Sequence, residues 1–375
     1  MPQAAKRPCA AILLVLCLAA PGRAQERWKT QYFYDQRGSA LAFRDIRCPS
    51  VTHCIATGVI DDNDHERGAV VTTVDGGQHW TVTNVKEHPV ALYFRNDSLG
   101  WMVTDRGIWN TQDGARNWNK LESLKGLVEV YFLDESHGFA IGFPKAIYET
   151  SDGGRKWTKL EALAKVPGDS DHTLFDSIAF DGAHGLIAGS IDQSQPVPVR
   201  RNAATGELEL APGDDTVILE TLDGGKNWAA KSMRVDGKLL KLSFAPEGEL
   251  AAIVGYEGRK RQYPSAVFGA RIGSNEGRST IFAQTDRAVV DTAFPAHGRA
   301  LIAAVEPTGN STDIPIPGKL KMLDSDDLSV WREMPVDYRA VARGAVLAAP
   351  DADHAWVATD TGMILNLTRP ASPPR

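Results

Sequence analysis

The sequence has no excess of basic residues: 41 lysines and arginines stand against 47 aspartates and glutamates, a formal net charge of −6. Phosphate binding relies on a net basic surface, so this balance argues against a nucleic acid partner. Long apolar runs are also missing. The run at residues 10–20 is much shorter than the ~20 apolar residues of a spanning helix, and no later run is long enough, so we expect no membrane span.

The short apolar run has the features of an export signal. Lys6 and Arg7 precede it, and Gly22, Arg23 and Ala24 follow it, which puts a small residue where a signal peptidase cleaves. We predict a signal peptide over residues 1–24, cleaved near Ala24, and a periplasmic or secreted mature protein that begins at Gln25.

Cysteine is scarce, with four residues in the chain, and Cys9 and Cys17 lie in the predicted signal. Cys48 and Cys54 remain, separated by PSVTH. In an oxidising compartment this pair favours a structural disulfide over a redox or metal role, because His53 is the one further ligand nearby. We expect no metal site. The four histidines that look like a ligand set by count fall in the same turn of different repeats, too far apart for one ion: His137, His184, His297 and His354.

What the sequence does contain is an internal repeat. TVDGGQHW lies at 73–80, TQDGARNW at 111–118, TSDGGRKW at 150–157 and TLDGGKNW at 221–228. A worn copy, DSDDLSVW at 324–331, keeps the spacing from Asp326 to Trp331. The glycines supply the positive φ of a tight hairpin, and the aspartate accepts backbone N–H bonds within its turn.

A second signature precedes each turn: an apolar strand that ends in an aromatic residue, a polar turn, and a strand that opens with glycine. It is clear at residues 90–103, 128–142 and 176–189 and weaker at 240–255, 291–304 and 345–359; the cysteine segment at 43–58 fills the same slot, which makes seven units. A recurrence of about 40–50 residues with four short strands is the size of a propeller blade. The sequence therefore predicts an all-β fold, a seven-bladed β-propeller of four-stranded antiparallel blades over residues 25–368.

The seventh unit stops after its third strand, at residues 363–367. The predicted mature N-terminus carries a spare strand at residues 28–33, which we expect to complete the last blade and close the ring. The tail at residues 369–375 reads as disordered.

The turn series resembles the Asp-box, or BNR, repeats of sialidases, sortilin-type receptors and xyloglucan-cleaving endoglucanases. Over nearly the whole mature chain it is similar to single seven-bladed propellers related to the photosystem II stability and assembly factor of cyanobacteria and chloroplasts. This resemblance implies an exported propeller, but the repeat occurs in enzymes and binding proteins alike.

Enzyme motifs are absent: no phosphate loop, nucleophile elbow, H-E-x-x-H or dinucleotide fingerprint occurs, and we expect no cofactor. A non-catalytic scaffold, monomeric and with a protein or carbohydrate partner, therefore comes first. The alternative is a glycoside hydrolase or lyase, with Asp176, Asp236 and Asp291 as the acids to test. A sugar-binding protein that uses Tyr256 and Tyr263 is a third possibility.

Long insertions are predicted between second and third strands, at residues 60–68, 190–215, 256–264 and 306–318, and in one link between blades, 159–172. All five should rise from one face, which favours that face for binding. Its charges are segregated, with acids on blade one and bases on blades four and five. The candidate partner-binding residues are Asp61, Asp62, Asp64, Arg200, Arg201, Arg259, Lys260 and Arg261.

Aligning the first strands on their terminal aromatic residue predicts a charged column along the central channel. Its members with charge are Arg44, Glu129, Lys241 and Asp291. A ring of hydrated ion pairs is the structural interpretation of this column, and a paired acid and base is the catalytic one.

Overall fold

The structure is a computed structural model that describes residues 27–63, 65–166, 168–191, 200–201, 208–209, 215–234, 237–245, 249–256, 263–271, 279–295, 299–306 and 316–368. The predicted signal peptide and the predicted tail lie outside these residues. Within them, no helix is both long and apolar enough to cross a bilayer.

Seven antiparallel sheets surround a common axis, as the repeats predict. The strands of blades one to four are Ala40–Arg47, Cys54–Asp61, Glu66–Thr73 and Thr81–Val85; Pro89–Phe94, Gly100–Thr104, Gly107–Thr111 and Asn119–Glu122; Leu127–Phe132, Gly138–Gly142, Ala146–Thr150 and Thr158–Lys159; Thr173–Asp181, His184–Ile191, Asp215–Thr221 and Ala229–Arg234. Those of blades five to seven are Lys238–Ala245, Glu249–Gly255, Ser265–Arg271 and Ser279–Phe282; Ala288–Ala293, Ala300–Val305, Gly318–Ser325 and Arg332–Met334; Ala345–Ala348, His354–Thr359, Met363–Thr368 and Trp28–Phe33.

Four small elements lie between the main strands. Arg200–Arg201 pairs with Leu208–Glu209 in the link between the second and third strands of blade four. Val341–Ala342 pairs with the start of Gly318–Ser325. A 3-10 helix covers Glu161–Lys165 in the link from blade three to blade four.

The N-terminal strand closes the ring, as predicted. Trp28–Phe33 pairs antiparallel with Met363–Thr368, from Trp28 opposite Leu367 to Phe33 opposite Met363. Trp28 is only 1% exposed. The indole N–H of Trp356, in the second strand of the same blade, donates to Gln31 Oε1 at 2.9 Å. The last blade is therefore built from both ends of the described chain, which covers a sheet edge that would otherwise be open.

Each Asp-box turn is organised by the threonine that ends the third strand. In blades one to four this hydroxyl donates to the aspartate two residues later at 2.8–2.9 Å and accepts the backbone N–H four residues later at 2.9–3.0 Å. Glycine is needed inside the turn: Gly225 has φ 89°, and a Cβ there would lie 2.3 Å from the ring of Phe139. The T-x-D-G-G pattern is thus a requirement of turn geometry.

The sixth blade departs from the predicted spacing by one residue. The hydroxyl of Ser325 donates to Asp327 Oδ1 at 3.2 Å, and Asp327 also accepts the backbone N–H groups of Ser329 and Val330. Asp327 therefore takes the role that the sequence assigns to Asp326, because the turn is one residue shorter before Trp331. Asp326 instead pairs with Arg299 at the surface.

Replacing Thr150 by valine should lower the free energy of unfolding by about 1–3 kcal/mol, the cost of a buried donor left without its acceptor. Thr150 is 2% exposed, and valine keeps its shape while removing the acceptor of the Gly154 N–H. Chemical denaturation of the purified variant measures the loss. Thr158→Val is the matched control, because Thr158 is exposed on the next strand. Equal midpoints for the two variants would contradict the role given to the box hydroxyl.

Candidate functional site

The strand directions divide the connections between two faces. Links from first to second and from third to fourth strands leave the face that carries the Asp-box turns, here called the box face. Links from second to third strands and from blade to blade leave the opposite face, the link face. Five long connections begin and end at the link face: residues 160–172, 192–214, 256–264, 306–317 and 335–344. Third-to-fourth links on the box face, in contrast, vary by a single residue in length.

The acidic connection of blade one is shorter than predicted. Cys54–Asp61 and Glu66–Thr73 are paired along their whole length, so residues 60–68 are mostly strand. Asp61 and Asp62 accept backbone N–H bonds from Asn63 and His65, each at 2.9 Å. The two carboxylates thus stabilise a tight turn in which Asn63 has φ 71°. Asp64 lies outside the described residues.

The basic candidates lie mainly beyond what the structure describes. Arg200 and Arg201 are described as backbone only, in the short strand Arg200–Arg201. Arg259, Lys260 and Arg261, and the candidate acid Asp236, lie outside the described residues. Their placement on the link face stays a prediction.

In blade one the axial column position belongs to Asp45 and not to the predicted Arg44. Each first strand of blades one to six contains a register shift, and the column member follows it: Asp45, Ala91, Glu129, Ser177, Lys241 and Asp291. Arg44 is the extra residue of its bulge and is exposed. The alignment failed there because the first strand of blade one has no terminal aromatic residue.

Column residues join neighbouring blades through backbone hydrogen bonds. The N–H of Leu92 donates to Asp45 Oδ2 at 2.7 Å, that of Ile178 to Glu129 Oε2 at 3.0 Å, and that of Leu347 to Asp291 Oδ2 at 2.8 Å. Ser177 accepts the N–H of Leu242 in the same way at 2.8 Å. In each case the donor belongs to the following blade, so these column residues connect neighbouring blades around the axis.

Two column carboxylates also form ion pairs with basic side chains. Arg47 lies 3.2 Å from Asp45 and donates its Nε–H to the carbonyl of Leu92. Lys241 pairs with Asp291 through a short contact. The side chains of both cations are 32% exposed, whereas those of Asp45 and Asp291 are 9% and 5% exposed. The cations therefore face the channel, with the carboxylates buried behind them.

Glu129 differs from the other column acids. It accepts the Ile178 N–H, and no ion pair joins it to another described residue. Burial raises the pKa of its carboxyl to about 7, against the opposing effect of Arg47. This carboxyl therefore changes its charge close to neutral pH.

Two of the proposed catalytic acids, Asp291 and Asp176, lie within the described residues and have different surroundings. Both oxygens of Asp291 are occupied, by the N–H groups of Thr292 and Leu347 and by Lys241, which makes it a structural group. Asp176 is the extra residue of the bulge in the first strand of blade four, and burial raises its pKa to about 6. No hydrogen bond or ion pair connects these two described residues.

An axial funnel of about 380 Å³ opens on the box face. All seven first strands or the residues that follow them line it, and the cations Arg47 and Lys241 lie with Glu129 toward its floor. Its wall is aromatic: Tyr131 lies between Tyr93, with ring centroids 4.9 Å apart, and Phe180, at 5.0 Å. This funnel was not predicted from the sequence, although the recurring aromatic residues at the ends of first strands were its visible signal.

The predicted disulfide is present and borders the funnel. Cys48 and Cys54 are joined with an S–S distance of 2.03 Å, across the turn between the first two strands of blade one. Cys48 contributes to the funnel lining. The described histidines of the recurring turn have partners in their own blades; for example, His137 Nε2 lies 2.8 Å from Glu149 and His184 Nε2 lies 3.0 Å from Glu220. His297 lies outside the described residues.

Comparison with known proteins agrees with this architecture. A family model described as photosynthesis system II assembly factor YCF48 matches residues 120–192. A structure of YCF48 bound to D1 peptide is 17% identical, with a TM-score of 0.62 over 93% of this chain and 98% of that chain. YCF48 from Cyanidioschyzon merolae is also 17% identical, with a TM-score of 0.57 over 91% and 98% of the two chains.

A protein of unknown function from Dyadobacter fermentans is 12% identical, with a TM-score of 0.51 over 94% of this chain and 100% of that chain. A search of curated proteins found no match. At such identities the solved structures establish the fold, and the family model adds the repeat. The chain is a seven-bladed BNR-repeat propeller that resembles the photosystem II assembly factor YCF48.

Proposed function

We propose that this chain is an exported, non-catalytic scaffold that binds a segment of a partner protein on its link face. The observation that carries the proposal is the division of the connections: long links leave one face, and the links between third and fourth strands on the other face differ in length by a single residue. Long loops on one side of a rigid scaffold are typical of binding surfaces. YCF48 bound to D1 peptide supplies a precedent for peptide binding by this fold.

The state of two axial carboxylates, Asp45 and Asp291, supports a non-catalytic role. A glycosidase needs two carboxyl groups that are free to exchange a proton or to attack the sugar. Asp45 and Asp291 have their oxygens committed to backbone N–H groups and to cations. A broad glycan panel should therefore release no reducing sugar, and reproducible turnover would overturn this part of the proposal.

The partner surface can be tested with charge-matched variants. The first variant replaces the four arginines predicted for the link face, Arg200, Arg201, Arg259 and Arg261, by alanine. The control replaces four exposed bases of the box face: Arg116, Arg155, Lys156 and Lys226. Immobilised full-length protein captures partners from an extract of the compartment that contains it, with quantitative mass spectrometry as the readout.

A specific protein should be enriched by the parent chain and by the box-face control, and at least tenfold less by the link-face variant. Arginine is the reason for this expectation, because its guanidinium holds carboxylates through two bonds at once. The same yield from both variants would count against the link face.

Export is the remaining part of the proposal, and it rests on the N-terminal sequence. Cell fractionation and N-terminal sequencing test it together. The mature chain should begin at Gln25 in the periplasmic or secreted fraction. A chain that keeps Lys6 and Arg7 at its N-terminus would contradict it.

A further inference from the structure

We propose that the axial funnel of the box face is a second binding site, for a carboxylate group attached to an aromatic or apolar body. It lies on the face opposite the proposed partner surface, so the two proposals stand or fall separately. The inference rests on three features of the funnel: cations at its floor, a third carboxyl group beside them, and an aromatic wall.

The first feature is the orientation of the ion pairs. The buried carboxylate of Asp45 accepts two backbone N–H bonds. Arg47 therefore directs only one of its Nη atoms to this carboxylate. Within the described residues Arg47 uses its Nε–H and one Nη, which leaves guanidinium donors directed to no protein acceptor. Lys241 likewise bonds only Asp291 among the described residues. These exposed donors suit a carboxylate from outside.

The second feature is the balance of charge at the floor. The two positive charges of Arg47 and Lys241 are balanced by the two negative charges of Asp45 and Asp291. The protonation state of Glu129 therefore decides the net charge of the floor. When Glu129 is protonated, the floor is neutral and its carboxyl can donate a hydrogen bond to an incoming carboxylate. When it is ionised, the floor has an excess negative charge, which opposes the same ligand.

The carboxyl group of Glu129 is protonated below about neutral pH. Its pKa is raised to about 7 by burial, so the proton is held up to neutral pH and lost above it. The charged groups that act on it are Arg47 and Lys241, which lower its pKa, and Asp45, which raises it. Tyr131, on its own strand, and Tyr93, on the first strand of the preceding blade, line the funnel beside it. Carboxylate binding should therefore weaken as the pH rises above about 7.

The third feature is the wall. Tyr93, Tyr131 and Phe180 form a continuous aromatic surface, and Phe244 and Phe294 border the opening. Aromatic surfaces of this kind gain free energy by covering an apolar group. The volume of about 380 Å³ lies in the range of small-ligand sites. It accommodates a small aromatic acid or the last residue of a polypeptide.

Isothermal titration calorimetry on the mature full-length protein tests the site with three probes. The first is 3-phenylpropionate, the second its neutral analogue 3-phenylpropanamide, and the third an N-acetylated tripeptide that ends in phenylalanine with a free carboxylate. At pH 6 at least one carboxylate probe should bind, at least tenfold more tightly than the amide. Tighter binding of the tripeptide identifies a polypeptide C-terminus as the source of the carboxylate, and equal or weaker binding identifies a small free acid.

Variants then assign the binding to the floor. Arg47→Met and Lys241→Met should each weaken carboxylate binding at least tenfold, whereas Arg44→Met, on the exposed bulge of the same strand as Arg47, should leave it unchanged. For the parent chain the affinity should fall about tenfold per pH unit above pH 7, as expected for a site that requires one proton. Glu129→Gln keeps a donor but does not titrate, so its binding should be independent of pH.

Circular dichroism and thermal unfolding show which variants keep the fold, and the comparison of acid with amide in the parent chain requires no variant. The proposal is overturned if neither carboxylate binds at pH 6, if the amide binds equally well, or if folded Arg47→Met and Lys241→Met variants bind as the parent does. A pH dependence that survives in Glu129→Gln would remove Glu129 from the site.

Discussion

Trp28→Ala should lower the free energy of unfolding by about 3–5 kcal/mol, the usual cost of removing a fully buried tryptophan side chain. Trp28 is 1% exposed and packs in a cluster that includes Met334 and Leu367, from the last two blades. Its backbone N–H donates to the carbonyl of Pro335 at 2.9 Å, so the same residue joins the closing strand to blade six. Loss of the indole weakens both the strand pairing and the junction between blades.

Urea denaturation monitored by circular dichroism measures this loss. Lys29→Ala is the control, because Lys29 is the next residue of the same strand, pairs with Asn366 and is exposed. Its midpoint should stay within the error of the parent value. If Trp28→Ala unfolds at the same urea concentration as Lys29→Ala, the N-terminal strand does not hold the ring closed.

The fold could be predicted because its signals are local. A propeller blade is specified by turns with glycine at positive φ and by apolar strands of fixed spacing, and both are visible in the residues between Thr73 and Trp157. Ring closure was predictable by counting, since the last unit lacks a strand and the predicted mature N-terminus has one to spare. The observed pairing of Trp28 with Leu367 confirms that count.

Register was harder to predict in a unit that lacks the aromatic residue on which the units are aligned, or whose turn differs in length by one residue. In blade one the bulge at Arg44 moves Asp45 into the axial column. In blade six the shorter turn moves the box carboxylate from Asp326 to Asp327. In both cases the predicted residue is one position away from the observed one. The predicted side chains, Arg44 and Asp326, are exposed, whereas Asp45 and Asp327 support the fold.

The funnel could not be predicted from any single repeat. Tyr93, Tyr131 and Phe180 are about 40–50 residues apart along the chain, and they meet because adjacent blades place equivalent positions side by side. Whether a charged column residue faces the channel or is buried behind a cation also depends on how neighbouring blades pack together. The alignment therefore identified Lys241 and Asp291 but gave no indication that one is exposed and the other enclosed.

Asp291→Ala tests whether this carboxylate is structural or free to act as an acid, and we expect a loss of about 3 kcal/mol in the free energy of unfolding. The substitution leaves the buried N–H of Leu347 without an acceptor and the partly buried ammonium of Lys241 without its counter-charge. Thermal or urea unfolding measures the loss. Asp291→Asn keeps an acceptor for Leu347 and should recover part of it.

Asp326 offers a control in the same blade. It also bonds two arginines, Arg299 and Arg332, but it is about half exposed, so Asp326→Ala should cost at most about 1 kcal/mol. If Asp291→Ala and Asp326→Ala have the same stability, the axial carboxylate of Asp291 does not hold blade six to blade five or to blade seven. In that case Asp291 would again be a candidate acid, and the argument for a non-catalytic axis would lose its main support. A large loss for Asp291→Ala alone ties the charge at the axis to the joining of blades five, six and seven.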